Sequence, residues 1–288
     1  MKRRRLKTRI LSVALLAVAF IIMLRQWEHH QVYHPSRELE AMPGDLGRPF
    51  EDVFFRASDG VELNGWFFPA DAGSSRAGLV MLICHGNGGN IADRSDLYRT
   101  LLATGVNLFA FDYRGYGLSH GTPSEPGTYL DAEAAYHWLR QKGFAGQRII
   151  AYGESLGGGI ASELCVRDPC GGLILQSTFT SIPDIGAELY PWLPVRWIST
   201  IKYDTRSRLP RLKIPVLVMH GRRDGLIPFH HATDNFAAAN EPKLLWEIDG
   251  EHNDPIFDQQ RFMEGIRKFY LLLDSPAAHA DAHNAPPS

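Results

Sequence analysis

From residue 77 to residue 273 the chain alternates short apolar runs of strand length with longer stretches of helical periodicity. This alternation limits the fold more than any other feature. Apolar runs stand at 77–84, 106–111, 148–152, 173–176, 216–220 and 244–248. Helical patterns fall at 91–104, 127–142, 156–167, 230–239 and 256–273; in the second, Leu130, Ala134 and Trp138 recur every fourth residue and share a face. Strands that are apolar throughout are those buried on both faces of a sheet. The pattern predicts an α/β architecture, one mostly parallel sheet flanked by helices, with ligands at the carboxyl ends of its strands. Two earlier strands, at 52–57 and 61–68, meet at the turn Ser58-Asp59-Gly60. Residues 178–213, rich in Pro, Trp and Tyr, interrupt the alternation and read as a small cap over the strand ends.

The 288 residues, 44% hydrophobic and 22% charged, suit one large domain with appendages. We divide the chain into a basic N-terminus with a transmembrane anchor (1–25), a stalk (26–50), the α/β domain (51–274) and a disordered tail (275–288). Six of the 30 basic residues fall in the first nine positions, which leaves the remainder with 24 basic against 32 acidic residues, a net of −8. Nothing in that acidic remainder suggests a nucleic-acid partner, which needs a basic patch. The three cysteines exclude a disulfide scaffold and fit no zinc spacing; Cys84 reads as a buried hydrophobe, and Cys165 and Cys170 as one disulfide or two packed thiols.

Behind the basic cluster, residues 10–24 form an apolar run closed by Arg25. Ala17-Val18-Ala19 has the form of a signal-peptide cleavage site, yet Phe20-Ile21-Ile22-Met23-Leu24 follows where a cleavage region turns polar. Lys7, Arg9 and Arg25 can snorkel, and Trp27 suits an interface. The segment therefore reads as an uncleaved signal anchor. Its basic end stays in the cytoplasm, which puts the rest of the chain on the periplasmic or extracellular side.

The apolar run 148–152 leads into Gly153-Glu154-Ser155-Leu156-Gly157 and then a helix. A serine on a sharp strand-to-helix turn has its hydroxyl pushed clear of the sheet. The pentapeptide alone arises by chance in about one in ten chains of this length, so its partners matter. A serine hydroxyl needs a base to take its proton. Of twelve histidines, His252 stands in a loop directly after the last strand, on the rim that carries Ser155. The others fall in the stalk, in the tail, in helices or in loops after other strands. Asp224 follows the penultimate strand and supplies a carboxylate to hold the histidine tautomer. Glu251, Asp254 and Asp249 are too close in sequence to His252 to orient it easily. His85-Gly86-Asn87-Gly88-Gly89-Asn90 follows the 77–84 strand and reads as an oxyanion loop, with the backbone N–H groups of Asn87 and Leu156 as donors.

As a set, these motifs, with Phe111-Asp112-Tyr113-Arg114-Gly115-Tyr116-Gly117, His220-Gly221-x-x-Asp224 and Gly250-Glu251-His252-Asn253-Asp254, resemble the α/β-hydrolase superfamily over about residues 50–273. Within it the chain is similar to the abhydrolase-domain branch of membrane-associated serine hydrolases and protein depalmitoylases. The resemblance implies an α/β-hydrolase fold with nucleophile Ser155, acid Asp224, base His252, oxyanion donors Asn87 and Leu156, and no metal or organic cofactor. The expected activity is cleavage of carboxylic esters or thioesters through an acyl-enzyme, on a small-molecule or lipid acyl substrate. Trp192, Leu193, Val195, Trp197 and Ile198 in the cap lean toward an acyl chain or simply pack the cap. An amidase or peptidase with the same triad, or a non-catalytic binding module, are the alternatives. The Asp112–Gly117 loop reads as structural, with Tyr113 a candidate for the pocket wall, and Glu154 has no assigned role.

Overall fold

The structure, a computed structural model, describes residues 2–275. All but the first residue of the expected disordered tail lies outside the described residues. The apolar runs become strands, as the expected burial on both faces requires. In chain order the strands are β1 (His34–Pro35), β2 (Glu51–Arg56), β3 (Glu62–Phe68), β4 (Val80–Cys84), β5 (Gly88–Gly89), β6 (Asn107–Phe111), β7 (Ile149–Glu154), β8 (Gly172–Gln176), β9 (Val216–Gly221) and β10 (Lys243–Ile248). Eight of them form one sheet in the order β10-β9-β8-β7-β4-β6-β3-β2. Pairings from β10 through β6 are parallel, and β3 runs antiparallel to both of its neighbours. β1 and β5 make a separate two-stranded parallel pair.

The helices are α1 (Lys2–Val32), α2 (Ser95–Leu102), α3 (Glu125–Gln141), α4 (Leu156–Arg167), α5 (Ile182–Leu189), α6 (Val195–Ile198), α7 (Thr205–Arg208), α8 (His230–Ala238) and α9 (Gln259–Leu273). Side chains of the central strands divide by parity, as a pleated sheet dictates. Val80, Leu82, Phe109, Phe111, Ile149, Ala151, Leu173 and Leu175 join one core with residues of α3, α4 and α8. Met81, Ile83, Leu108, Ala110, Ile150, Tyr152 and Ile174 join the other with residues of α2 and α9. The mostly parallel sheet flanked by helices is thus present as expected. Cys84, Cys165 and Cys170 are free thiols.

One helix among the described residues is long and apolar enough to cross a membrane: its span Ile10–Val32 has a mean hydropathy of 2.1, with none of its most apolar window buried against the rest of the chain. No proline stands before Pro35, and the helix runs unbroken past Arg25 into the stretch read as stalk. Its last turns dock on the domain. Glu28 accepts hydrogen bonds from Ser199 Oγ (2.6 Å), Thr200 N–H (2.7 Å) and Ile201 N–H (3.2 Å). Just beyond the helix, Tyr33 shares a buried hydroxyl contact with Tyr203 (3.0 Å).

Candidate active site

The ends of β4, β7, β9 and β10 bring the expected residues to one rim. Ser155 sits between β7 and α4 with φ 51° and ψ −113°, a backbone conformation that a side-chain-bearing residue holds only under constraint. The constraint is visible in the packing. A Cβ on Gly153 would overlap the backbone of Gly157 and Gly158, and one on Gly157 would overlap the Cys84 carbonyl at the end of β4. The Ser155 N–H donates to the Gln176 carbonyl at 2.9 Å, which ties the turn to the end of β8.

Asp224 and His252, 28 residues apart, meet through a His252 Nδ1–Asp224 Oδ2 hydrogen bond of 2.8 Å. The other Asp224 oxygen accepts from the N–H groups of Leu226 (3.0 Å) and Ile227 (2.8 Å). His220 Nε2 donates to the Ile227 carbonyl (2.8 Å) and lies 3.3 Å from Asp224 Oδ2. Burial alone would push the Asp224 carboxyl up. The hydrogen bonds from His220 and His252, the charge of His252 and the Ile227 N–H overrule it and hold Asp224 far below the ordinary carboxylate range. With Nδ1–H given to Asp224, the lone pair of His252 Nε2 is left for another partner.

Ser155 and His252 line one pocket of about 870 Å³, together with Asn87, Arg94, Glu154 and Gln176. The Ser155 hydroxyl makes no hydrogen bond to His252 among the described residues. Such contacts commonly tighten only with substrate bound. Leu156 is the first residue of α4, so its N–H has no acceptor one turn back. Asn87 is anchored by its other groups. Its carbonyl accepts from His34 N–H (3.0 Å) and Tyr116 Oη (2.8 Å), and its side-chain amide donates to the Val32 carbonyl (3.1 Å). Its own N–H finds no acceptor among the described residues.

Several residues that sequence reasoning passed over hold this loop. Arg94 donates to the carbonyls of Gly88 and Asn90, both at 2.9 Å, and to Glu154 Oε2 at 3.2 Å. This gives Glu154 a partner. Burial opposes its ionisation, and the charge and hydrogen bond of Arg94 keep its carboxyl below the ordinary range all the same. Tyr113 is fully buried rather than in the pocket wall and donates to the His85 carbonyl at 2.9 Å. Arg114 pairs with Asp59 and Asp131, so the Asp112–Gly117 loop is a brace under the glycine-rich one.

The cap differs from expectation. No residue of 178–213 lines the Ser155 pocket; its walls come from 86–100, 154–155, 252–259, Glu40, Ala41, Gln176 and Leu226. Of the two readings of Leu193, Val195 and Ile198, an acyl-chain contact or packing of the cap, the structure favours packing: they line a small groove of about 110 Å³ against Leu24, Trp27 and Val32 of α1. Trp192 and Trp197 line neither and stand 76% and 90% exposed.

Among the described residues two side-chain groups could approach a cation, Glu188/His230/His231 and Glu133/His137/Asp168, and neither lines the Ser155 pocket. His231 Nδ1 accepts from the Thr180 N–H at 3.1 Å, which leaves its proton on Nε2, the atom facing Glu188. That tautomer does not suit a ligand.

Residues 75–204 match the sequence family described as "Serine aminopeptidase, S33". Over 93% of this chain and 96% of the relative, the sequence is 37% identical to the uncharacterised protein Rv2307c of Mycobacterium tuberculosis. It is 31% identical to the alpha/beta hydrolase domain-containing protein WAV2 of Arabidopsis thaliana, over 80% of this chain and 82% of that one. Among solved structures, an esterase of Pyrococcus furiosus superposes with a TM-score of 0.67 at 22% identity, over 83% of this chain and 98% of its own. Fold, strand order and relatives agree: the chain belongs to the α/β-hydrolase superfamily.

Proposed function

We propose that the protein is a serine hydrolase that cleaves carboxylic esters or thioesters through an acyl-enzyme, with Ser155 as nucleophile, His252 as base and Asp224 as the acid that orients it. The observation that carries this is the 2.8 Å His252–Asp224 bond on the rim of the pocket that holds Ser155 in its constrained turn. Oγ of Ser155 attacks the acyl carbon while His252 Nε2 takes its proton. The oxyanion that forms is met by the N–H groups of Asn87 and Leu156, fixed before substrate arrives. Collapse releases the alcohol or thiol, which receives the proton from His252. Water, activated by the same imidazole, then frees the acid and regenerates Ser155. Asp224 stays ionised throughout.

The pocket is wide and edged by charged groups (Glu40, Asp93, Arg94, Asp96, Arg99), which favours an acyl or alcohol portion with polar groups over a bare alkyl chain. Labelling with a fluorophosphonate tests the reading: wild type reacts and Ser155→Ala does not. A wild type that fails to label sinks it. The description of the matched family favours a second reading, cleavage of peptide or amide bonds by the same residues. Turnover of peptide p-nitroanilides without turnover of p-nitrophenyl esters selects that reading.

We further read α1 as an uncleaved signal anchor, with the α/β domain on the periplasmic or extracellular side. Its support is the apolar span behind a basic terminus. A reporter enzyme fused after residue 45 that is active only in the cytoplasm overturns the orientation.

A further inference from the structure

Among the described residues outside the span of α1, Trp197 (90%) and Trp192 (76%) are the most exposed large apolar side chains, and Leu189 of the same segment is 47% exposed. Indole rings this open are costly to leave in water, and a cluster of them on one face marks a contact surface. Their position relative to α1 identifies the contact. The apolar run ends at Leu24 and is closed by Arg25, so the hydrocarbon boundary of a bilayer crossed by this helix falls at that level. Arg25 Nη1 donates to the Ile198 carbonyl at 2.6 Å, which carries the same level across to α6, one residue from Trp197. On the other side of the groove, the Trp27 and Tyr190 rings pack edge-on at 5.3 Å, and Tyr190 meets Trp192 at 6.3 Å. The Tyr190 hydroxyl donates to Gln31 Oε1 at 2.7 Å, so the 189–198 segment is fixed to the helix rather than loosely beside it.

We propose that this segment is a membrane-interface seat: Leu189, Trp192 and Trp197 enter the headgroup layer beside the point where α1 leaves it, and Trp27 completes the aromatic belt. The proposal rests on the reading of α1 as an anchor. The occupant is the lipid surface itself, because the patch is continuous with the lipid-facing surface of the helix and lies at the depth where tryptophan partitions. Arg196 in the same segment donates Nε to Asp184 at 3.1 Å, so its charge is already partnered and the seat rests on the aromatic and apolar side chains. In this arrangement the segment that interrupts the strand–helix alternation serves to orient the domain on the bilayer. It does not cover the substrate.

The test uses the full chain in phosphatidylcholine liposomes, with and without brominated acyl chains that quench nearby indoles. Of the six tryptophans, Trp66 is buried, and Trp138 and Trp246 pack in the core, which leaves Trp27, Trp192 and Trp197 at the interface. Trp192→Ser/Trp197→Ser should reduce the bromolipid-quenched emission to about a third of the wild-type value, from three interfacial indoles to one. Both proteins should float with the liposomes and label equally with fluorophosphonate, which shows that the variant is folded. Equal quenching in wild type and variant, with flotation intact, overturns the seat and leaves the anchor standing. Failure of either protein to float overturns the anchor and the seat together. A change in self-association in detergent without any change in lipid quenching assigns the patch to a second copy of the chain and likewise overturns the proposal.

Discussion

Arg94 is the most exposed point of failure in the site, and its effect can be worked from the geometry. Its guanidinium holds two carbonyls of the 86–90 loop and the carboxylate of Glu154, the residue before Ser155, at 2.9, 2.9 and 3.2 Å. The two side chains are 11% and 21% exposed, so water replaces little of what is removed. Arg94→Met leaves a buried carboxylate without its partner, a loss of about 3–5 kcal/mol. At about 2–4 °C per kcal/mol for a domain of this size, Tm should fall by roughly 10 °C. Glu154→Gln keeps both carbonyl bonds and should cost about 1–3 kcal/mol. In Arg94→Met/Glu154→Gln no charge is stranded, and the two costs should fail to add by about 1–3 kcal/mol. Catalysis should respond differently from stability. With its tethers gone, the loop presents the Asn87 N–H poorly, so kcat on a p-nitrophenyl ester should fall by about 10²-fold with KM little changed. Arg94→Lys, a point charge without the planar fork, should recover only part of this. The experiment is a thermal melt and a kcat and KM determination on wild type, the two singles, the double and Arg94→Lys. Additive melting shifts together with an unchanged kcat in Arg94→Met would falsify the reasoning.

Other expectations are simpler. Asp224→Asn should lower kcat by about 10⁴-fold at neutral pH, because the amide no longer fixes the His252 tautomer; a loss under tenfold in ester turnover removes Asp224 from the triad. The same carboxyl sets a pH dependence of stability. Its folded pKa is lowered, so its contribution is complete above the unfolded value of about 3.9 and is lost as pH falls below it. The wild-type advantage over Asp224→Asn in urea unfolding should therefore be larger at pH 6 than at pH 3, and a gap that widens toward acid contradicts the assignment. Gly157→Ala forces a methyl into the Cys84 carbonyl and should abolish fluorophosphonate labelling or folding, so a normally active, normally stable variant refutes the packing account. Tyr116→Phe deletes the donor to the Asn87 carbonyl and should cost about 0.5–1.5 kcal/mol in urea unfolding, with a modest drop in kcat.

The sheet was legible because parallel strands buried on both faces are apolar nearly throughout, as at 80–84 and 216–219, and because their short length, between longer helical patterns, favours strands. That Ser155, Asp224 and His252 lie on one rim was legible for a related reason: each follows its own strand, and the ends of neighbouring parallel strands share a rim. The supporting contacts were not. Arg94, Tyr116 and the stretch from Val32 to Glu38 act through backbone carbonyls brought close only by the folded chain, and no residue type or spacing announces a bond to a carbonyl. The 178–213 segment misled for a different reason. Hydrophobicity does not specify the partner: Leu193, Val195 and Ile198 pack against α1, while Trp192 and Trp197 of the same segment stay exposed. The end of that helix was equally hidden, since Gln26 to Val32 is mixed in character and becomes ordered helix only because Glu28 and Val32 find places on the domain.

The junction between that helix and the glycine-rich loop has a mechanical consequence. Val32 closes α1 and accepts from the Asn87 side chain, and two residues later β1 lies in register with β5. From Leu24 to Val32 the helix rises about 12 Å as a stiff rod, clamped at its far end by Glu28 and Tyr33. On the reading of α1 as an anchor, a bilayer thinner than its apolar stretch is met by tilt of the helix, and a thicker one by local thinning of the bilayer around it. With the clamp in place, tilt cannot dissipate in a hinge and must turn the whole sheet with it. On that reading the orientation of the pocket mouth toward the lipid headgroups would change with the tilt of the helix rather than stay fixed by a flexible linker.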